Sequence, residues 1–443
     1  MDYTKLPTFE TAQDYLSFQN QLNARMFEDG FHLLNQTECI PVLASSVILD
    51  KAATTDLIHS SKVIIGALQK VAKEYLKSTD LQNYVKIDPL ELHLLTSTEQ
   101  PYGFGVTRLD SFLTDDGYKF VEINTDYPDG LTLFTQFVKT FDAFMEPYDS
   151  AYLKSDVNNL ELLYSNLITL YQKNGGTHHN PTIACVGPLD RLWATEYNAH
   201  VEFLRSKGHK VFHVEPTELV FEDGELRYQN HKIDIVRRLC ETRYFTKQPE
   251  ACRAIFEAYK QKTAVFMNSF HDRLLGVKGL FAVLTNSRYA HLFTSEEKEV
   301  IKRTIPVTKV VSTIDLHPDE ITNICQNKDN YVLKPSDLSE GEKIFVGCET
   351  DQHIWDEALS SALDQSDGRW IIQELIRIPK RESLIVENGE LKTESLYFDV
   401  CLHFFMDKNG DIATGTPFSR SSRSMILNVT KGGGANEVKL TYS

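Results

Sequence analysis

The sequence has no long apolar run, no apolar core at its N-terminus and no paired-cysteine motif. No hydrophobic stretch approaches the about 20 residues that a membrane-spanning helix needs. The seven cysteines are scattered and odd in number, so neither a disulfide framework nor a zinc site is expected. We therefore expect a soluble cytoplasmic protein with reduced cysteines and no membrane partner.

The chain also lacks an excess of basic residues. Its formal net charge at pH 7 is −16, which disfavours general binding to nucleic acids or anionic membranes because both are densely negative. Local lysines and arginines can still bind a small anion. The length of 443 residues suffices for two or three packed domains, and the 42% hydrophobic content is ordinary for a globular protein.

A β-hairpin is predicted between Arg108 and Asn124, where apolar residues alternate along two arms around an Asp-Asp-Gly turn. A three-residue loop would place Asp110 opposite Glu122 and Arg108 opposite Asn124, all on one face. Facing carboxylates repel each other unless a cation lies between them, and oxygen ligands of this kind suit Mg²⁺. A two-residue loop would turn Asp110 and Glu122 to opposite faces. The alternative interpretation is a solvated acidic face.

The remaining pattern indicates a mixed α/β and α+β architecture. The aromatic and aliphatic residues before residue 95 recur at helical spacing, whereas a strand–helix–strand pattern from Pro181 to Val214 predicts a parallel sheet without a GxGxxG phosphate loop. We expect a helical region at 1–95, a metal-binding hairpin part at 96–175, a small open-sheet α/β substrate domain at 181–250 and a nucleotide-binding part at 260–443. Candidate ligands for an anionic substrate, with solvated surface arginines as the alternative, are Arg237, Arg238, Arg243 and Arg420.

Two lysines are candidates for binding phosphates. Lys334 lies at the end of a predicted strand, Tyr331–Pro335, ahead of a turn-rich loop. Lys278 lies on an otherwise apolar predicted helix, where a cation either extends to solvent or meets an anion. The end of a further predicted strand, Gln373–Ile376, could offer backbone groups to an adenine edge.

These residues together resemble the circularly permuted ATP-grasp ligases, in particular the synthetase domain of glutathionylspermidine synthetase. The resemblance consists of motifs scattered over residues 95–435: Arg108-x-Asp110, Glu122-x-Asn124, Asn268-Ser269-Phe270, Lys278, Lys334-Pro335, Gln373-Glu374 and the triple glycine 432–434. The acidic metal strand precedes the lysines, which is the permuted order. The resemblance implies a circularly permuted ATP-grasp fold with a small pre-ATP-grasp-like α/β domain.

The resemblance also implies a function. It implies an ATP- and Mg²⁺-dependent ligase that joins a small-molecule carboxylate to an amine through an acylphosphate and releases ADP and phosphate. The implied site residues are Arg108 for catalysis, Asp110, Glu122 and Asn124 for Mg²⁺, and Lys278, Lys334, Gly341, Gln373, Glu374, Leu375 and Ile376 for ATP.

Two alternatives remain open. The loop 336–343 contains Gly341 as its one glycine and carries Asp337, Glu340 and Glu342, although acids beside a triphosphate are unfavourable. This composition motivates a catalytically silent ATP-binding scaffold or regulatory module. A kinase-like transfer that stops at the phosphorylated product is the other alternative. The sequence identifies neither substrate, and it leaves the oligomeric state open, with a homodimer as the candidate.

Overall fold

The computed structural model describes residues 4–5, 9, 11–32, 39–98, 104–146, 157–189, 194–312, 315–337, 343–364, 369–388, 390–427 and 434–441. The strands, in chain order, are β1 (Thr4–Lys5), β2 (Val42–Leu49), β3 (Thr107–Thr114), β4 (Gly117–Asn124), β5 (Ile183–Val186), β6 (Val211–Val214), β7 (Val220–Glu222), β8 (Glu225–Tyr228), β9 (His231–Lys232), β10 (Ile235–Arg238), β11 (Val265–Met267), β12 (Thr308–Val310), β13 (Tyr331–Pro335), β14 (Phe345–Val346), β15 (Trp370–Glu374), β16 (Arg381–Glu387), β17 (Glu390–Met406), β18 (Ile412–Thr414), β19 (Phe418–Ser422) and β20 (Gly434–Leu440).

The helices, in chain order, are α1 (Ala12–Glu28), α2 (Lys51–Tyr75), α3 (Thr79–Tyr84), α4 (Pro89–Thr96), α5 (Leu131–Met145), α6 (Asn159–Lys173), α7 (Ala194–Ser206), α8 (Thr242–Thr246), α9 (Arg253–Gln261), α10 (Phe270–Leu275), α11 (Gly279–Thr285), α12 (Ser295–Thr304), α13 (Pro318–Gln326) and α14 (Gln352–Asp364). Among the described residues, none of these helices combines the length and the apolar character that crossing a bilayer requires.

The largest sheet has nine strands and joins distant parts of the chain. Its order is β1-β2-β20-β19-β17-β3-β4, and β16 and β18 also pair with β17. The region 1–95, which we expected to be largely helical, therefore contributes β2 as a parallel partner of β20. The helical pattern hid this strand because its residues are buried almost throughout and show no alternation.

The hairpin of β3 and β4 has the predicted pairing but not the predicted turn. Thr114 pairs with Gly117, so the loop has two residues instead of three, and Gly117 adopts a φ of +129°. A bulge between Asp110 and Ser111 then adds one unpaired residue, Val121, to β4. The bulge offsets the shorter loop. Asp110 therefore still pairs with Glu122.

Helices cover both faces of this sheet. One face packs against α2, α4, α11 and α12 through a continuous core that includes Leu68, Leu109 and Phe281. The opposite face packs against α1 and α5, where the predicted stripe of α1 is buried against residues such as Phe137 and Phe418. The side chains of Arg108 and Asp110 on β3 emerge on this second face. Leu109 lies between them in the strand and points the opposite way, into the core that contains Leu68 and Phe281.

The predicted parallel sheet is present and lies beside the hairpin. Its order is β11-β10-β5-β6, so it extends beyond residue 250 to include β11. Arg238, at the end of β10, is fully buried and donates to Asp126 Oδ1 at 2.7 Å and to Asn268 O at 2.6 Å. Asp126 lies just beyond β4, so this ion pair joins the parallel sheet to the end of the hairpin.

A second antiparallel sheet, β12-β15-β13-β14, contains the predicted strand Tyr331–Pro335 with the expected bounds. Lys278, however, does not lie within a helix. It occupies the junction between α10 and α11, as the N-cap of α11, and its backbone N–H donates to Ser336 O at 2.7 Å. Gly276 is the C-cap of α10 ahead of it, so the apolar stretch that we interpreted as one helix forms two short helices.

We predict that Arg238→Met lowers the free energy of unfolding by about 3–5 kcal/mol, because the largely buried Asp126 loses its closer arginine at 2.7 Å and keeps only Arg273 at 3.6 Å. Urea denaturation measures the change. The matched control is Arg227→Met, since Arg227 forms a more exposed pair with Glu225 and its loss should cost less than about 1 kcal/mol. Equal losses for the two variants would contradict the structural role of Arg238.

Candidate functional site

A cavity of about 510 Å³ lies between the hairpin and the second antiparallel sheet. The predicted site residues that line it are Arg108, Asp110, Glu122, Asn124, Arg243, Lys334, Gln373, Glu374, Leu375, Ile376 and Arg420. Lys278 borders a smaller adjoining niche with Asn124. Gly341 and most of the loop 336–343 lie outside the described residues. The fold thus brings residues from both halves of the chain to one cavity.

Asp110 is the most heavily bonded acid of the site. The Nε–H and Nη2–H groups of Arg108 donate to its two oxygens at 2.8 and 3.1 Å, and Arg420 Nη2 donates to Oδ2 at 2.9 Å. Burial alone would raise the pKa of Asp110, but the charges of the two arginines and the hydrogen bonds outweigh it and hold the pKa well below its usual range. Asp110 is therefore ionised at neutral pH.

Sequence reasoning missed Asp399, which holds Arg420 in place. Asp399 is 1% exposed on β17, and it accepts from Arg420 Nε at 2.7 Å and from the Arg420 backbone N–H at 2.6 Å. The signal that the sequence offered was a single acid within the otherwise apolar strand around residues 397–402. Charges of opposite sign consequently alternate from Asp399 through Arg420, Asp110 and Arg108 to Asp129, which accepts from Arg108 Nη1 at 3.0 Å.

The hairpin brings together side-chain oxygen atoms of the kind that Mg²⁺ prefers as ligands. Asp110 and Glu122 face each other across the ladder, and the amide nitrogen of Asn124 donates to Asp110 Oδ2 at 3.3 Å, which leaves the amide oxygen as a ligand atom. Glu122 Oε2 lies 3.4 Å from Lys278 Nζ. Among the described residues, no group of three or more His, Cys, Asp and Glu side chains could hold a metal ion. The hairpin instead offers two carboxylates and one amide.

Lys334 is buried, and its side chain extends from β13 to the hairpin. Its Nζ donates to Gln373 Oε1 at 3.0 Å and to the carbonyl of Val121 at 3.1 Å, although Val121 is 213 residues away in the chain. Burial lowers the pKa of Lys334 to about 8, with the charge of Glu122 opposing the shift and that of Lys278 adding to it. A buried lysine with neutral partners suits an incoming anion.

The strand end at Gln373–Ile376 lines the apolar part of the cavity, beside Val332 and Ile344. The side chain of Gln373 is engaged with Lys334 and with Thr308 Oγ1, to which its Nε2 donates at 2.8 Å. The backbone N–H groups of Glu374 and Leu375 donate to carbonyl oxygens of the protein at 2.9 and 2.8 Å. The N–H of Ile376 has no acceptor within the described ranges and is the backbone donor that remains for a ligand.

The opposite end of the cavity combines aromatic rings with charged side chains. Its rings belong to Tyr127, Phe134, Tyr197 and Phe418, and the last of these stacks on Phe134 with centroids 3.6 Å apart. Arg243 lines this end and pairs with Glu241 at 2.6 Å. This end therefore offers an apolar wall next to ion pairs.

Arg237 and Arg238, which we expected as candidate ligands for an anionic substrate, are not among the residues that line the cavity. Both are fully buried. Arg237 donates to Asn268 Oδ1 at 3.2 Å and lies over the Tyr127 ring, 5.3 Å from its centroid. Asn268 itself donates to Val106 O and Thr125 O. These groups join β10, β11 and the hairpin, so their contacts are structural.

No protein-family model matches the chain, and no curated protein sequence matches it. A solved structure of a glutathione synthetase-like effector from Globodera pallida, in the apo form, matches 98% of this chain and 98% of its own, with a TM-score of 0.68 and 13% identity. A carboxyaminoimidazole ribonucleotide synthase from Aspergillus clavatus, complexed with ATP, covers 54% of this chain and 69% of its own at 11% identity, but its TM-score of 0.25 supports no argument. The chain therefore shares the overall fold of a glutathione synthetase-like protein.

Proposed function

We propose that the protein is an ATP- and Mg²⁺-dependent ligase that forms an amide from a carboxylic acid and an amine, with ADP and phosphate as the other products. The observation that carries the proposal is the meeting of the acidic hairpin with Lys334 in one cavity. An acid pair with an amide oxygen, a buried lysine and an apolar strand end are the three environments that a metal, a phosphate chain and a purine respectively require.

In this proposal the purine lies against the apolar strand end, and the N–H of Ile376 is its backbone partner. Lys334 and Lys278 bind the phosphates. Asp110, Glu122 and Asn124 would hold Mg²⁺, which when bound offsets the negative charge of phosphoryl transfer. The hairpin precedes the lysines in the chain, and this order is the basis for proposing a circularly permuted ATP-grasp arrangement.

The chemistry requires positioning and electrostatics but no covalent protein nucleophile. The substrate carboxylate attacks the γ-phosphorus to give an acylphosphate, and an amine then displaces phosphate to form the amide. Arg108 and Arg420 line the cavity on either side of Asp110 and supply fixed positive charge near the transferred group. The reaction also requires that water, which would hydrolyse the acylphosphate, is kept from the site.

A catalytically silent nucleotide-binding module is the second candidate. The bonding of Asp110 favours it, because two arginines and Asn124 already occupy the oxygens of this acid. A protein that binds the nucleotide without the metal has no need to displace these contacts. The two candidates differ in whether ADP is formed.

We predict that the purified protein releases ADP from ATP and Mg²⁺ only when one acid and one amine are both present. The measurement is a coupled ADP assay with pools of monocarboxylic acids, dicarboxylic acids and amino acids, crossed with pools of monoamines, diamines and polyamines. ADP release with acid alone, at the full rate, would indicate transfer that stops at the phosphorylated acid. Silence in every pool, together with thermal stabilisation by ATP, would contradict the ligase and favour the silent module.

We further predict that Glu122→Ala reduces Mg²⁺-dependent ADP release to background, because it removes one of the two carboxylates of the hairpin set. The unfolding midpoint should stay close to wild type, since the Glu122 side chain is 25% exposed at the cavity. The matched control is Glu296→Ala, which removes a carboxylate that is 65% exposed and lies outside the cavity. Undiminished turnover in Glu122→Ala would refute the metal assignment.

A further inference from the structure

Asp129 differs from the other acids of the cavity. Those acids are Asp110, Glu122, Glu241, Glu374 and Asp399. Arginines bind Asp110, Asp399 and Glu241, Lys278 lies beside Glu122, and Glu374 lies at the apolar strand end. The Asp129 side chain is 34% exposed and uses only Oδ1, for Arg108. Its Oδ2 receives no hydrogen bond from the part of the chain that the structure describes.

The backbone around Asp129 is held from three sides. Its carbonyl oxygen accepts from Arg108 Nη1 at 3.3 Å and from His403 Nε2 at 3.2 Å. Burial, assisted by the charge of Arg108, lowers the pKa of His403 to about 3, so this ring is neutral at physiological pH and acts as a fixed donor. On the other side, Glu196 accepts from the N–H groups of Gly130 and Leu131, each at 3.0 Å.

These contacts fix the place of the Asp129 carboxylate relative to the reaction. One oxygen is bound to Arg108, whose other donors hold Asp110, so Asp129 lies one guanidinium away from the acidic hairpin. It also lines the cavity together with Tyr127, Phe134 and Phe418. A carboxylate that is partly exposed, beside aromatic rings, suits an amine that carries positive charge in the transition state.

We propose that Asp129 is the general base for the amine step of the reaction, a role that rests on the proposed ligase function. The amine attacks the acyl carbon in its unprotonated form, and its lone pair forms the C–N bond. The nitrogen of the adduct then carries a positive charge and must lose a proton. Asp129 Oδ2 accepts this proton while the C–O bond to phosphate breaks and phosphate leaves with the electron pair. The protonated Asp129 then releases its proton to solvent.

The proposal predicts a selective defect in Asp129→Asn. Removal of a general base costs about 100-fold or more, so ADP release with the acid and alkylamine pools should fall by this amount. Hydroxylamine is a far weaker base than an alkylamine, and its adduct loses a proton readily to water. Hydroxamate formation from the same acid pool, ATP and Mg²⁺ should therefore stay close to wild type.

Two further variants complete the experiment. Asp129→Glu retains a carboxylate and should recover part of the alkylamine reaction. Asp56→Asn is the matched control, because Asp56 also pairs with an arginine, Arg303, and is 43% exposed outside the cavity. It should leave both reactions unchanged. Thermal unfolding of each variant verifies the fold.

The outcomes are distinguishable. Equal loss of the alkylamine and hydroxylamine reactions in Asp129→Asn would show that Asp129 only positions Arg108, and it would overturn the proposal. Full retention of the alkylamine reaction would overturn it as well. If the wild-type protein forms neither ADP nor hydroxamate with any pool, the ligase function itself fails and the role of Asp129 fails with it.

Discussion

The alternation of charges from the buried Asp399 to the partly exposed Asp129 is the constraint on which the site depends. Each acid in this series lies next to an arginine, and each arginine lies between two acids. Burying an isolated carboxylate or guanidinium is costly, so the buried members of the series depend on their neighbours. The series joins β17, β19 and β3 to the start of α5. The geometry of the cavity floor is thus set by ion pairs that also hold the strands together.

The local parts of the site could be predicted from sequence. Alternation along two arms located the hairpin, an assumed three-residue loop paired Asp110 with Glu122, and Lys334 was placed correctly at a strand end. The predicted pairing was correct, but the predicted cause was not. A bulge at Val121, and not a three-residue loop, sets the register. Bulges depend on which face of the strand is buried by the rest of the protein. A single sequence does not reveal that burial.

Non-local partnerships were not predictable. Arg238 was expected as a candidate ligand for a substrate, but it is fully buried and bound to Asp126, which is 112 residues away in the chain. Asp399 was missed because Arg420 and Asp110, separated by 310 residues, define its role only when the strands assemble. The helical interpretation of Lys278 failed for a different reason. The apolar periodicity continues across Gly276, so the break between α10 and α11 leaves little trace in the pattern.

The bulge at Val121 constrains the length of the hairpin. The residue that it adds to β4 is outside the ladder, and its carbonyl oxygen is the one that accepts from Lys334. One inserted residue therefore performs two tasks, since it restores the facing of Asp110 and Glu122 and it provides the docking point of the lysine. A deletion of Val121 combined with an insertion in the turn would restore the register of the hairpin. It would still remove the carbonyl oxygen that binds Lys334. A change in the length of this hairpin therefore disturbs the facing of the two acids, the contact to Lys334, or both.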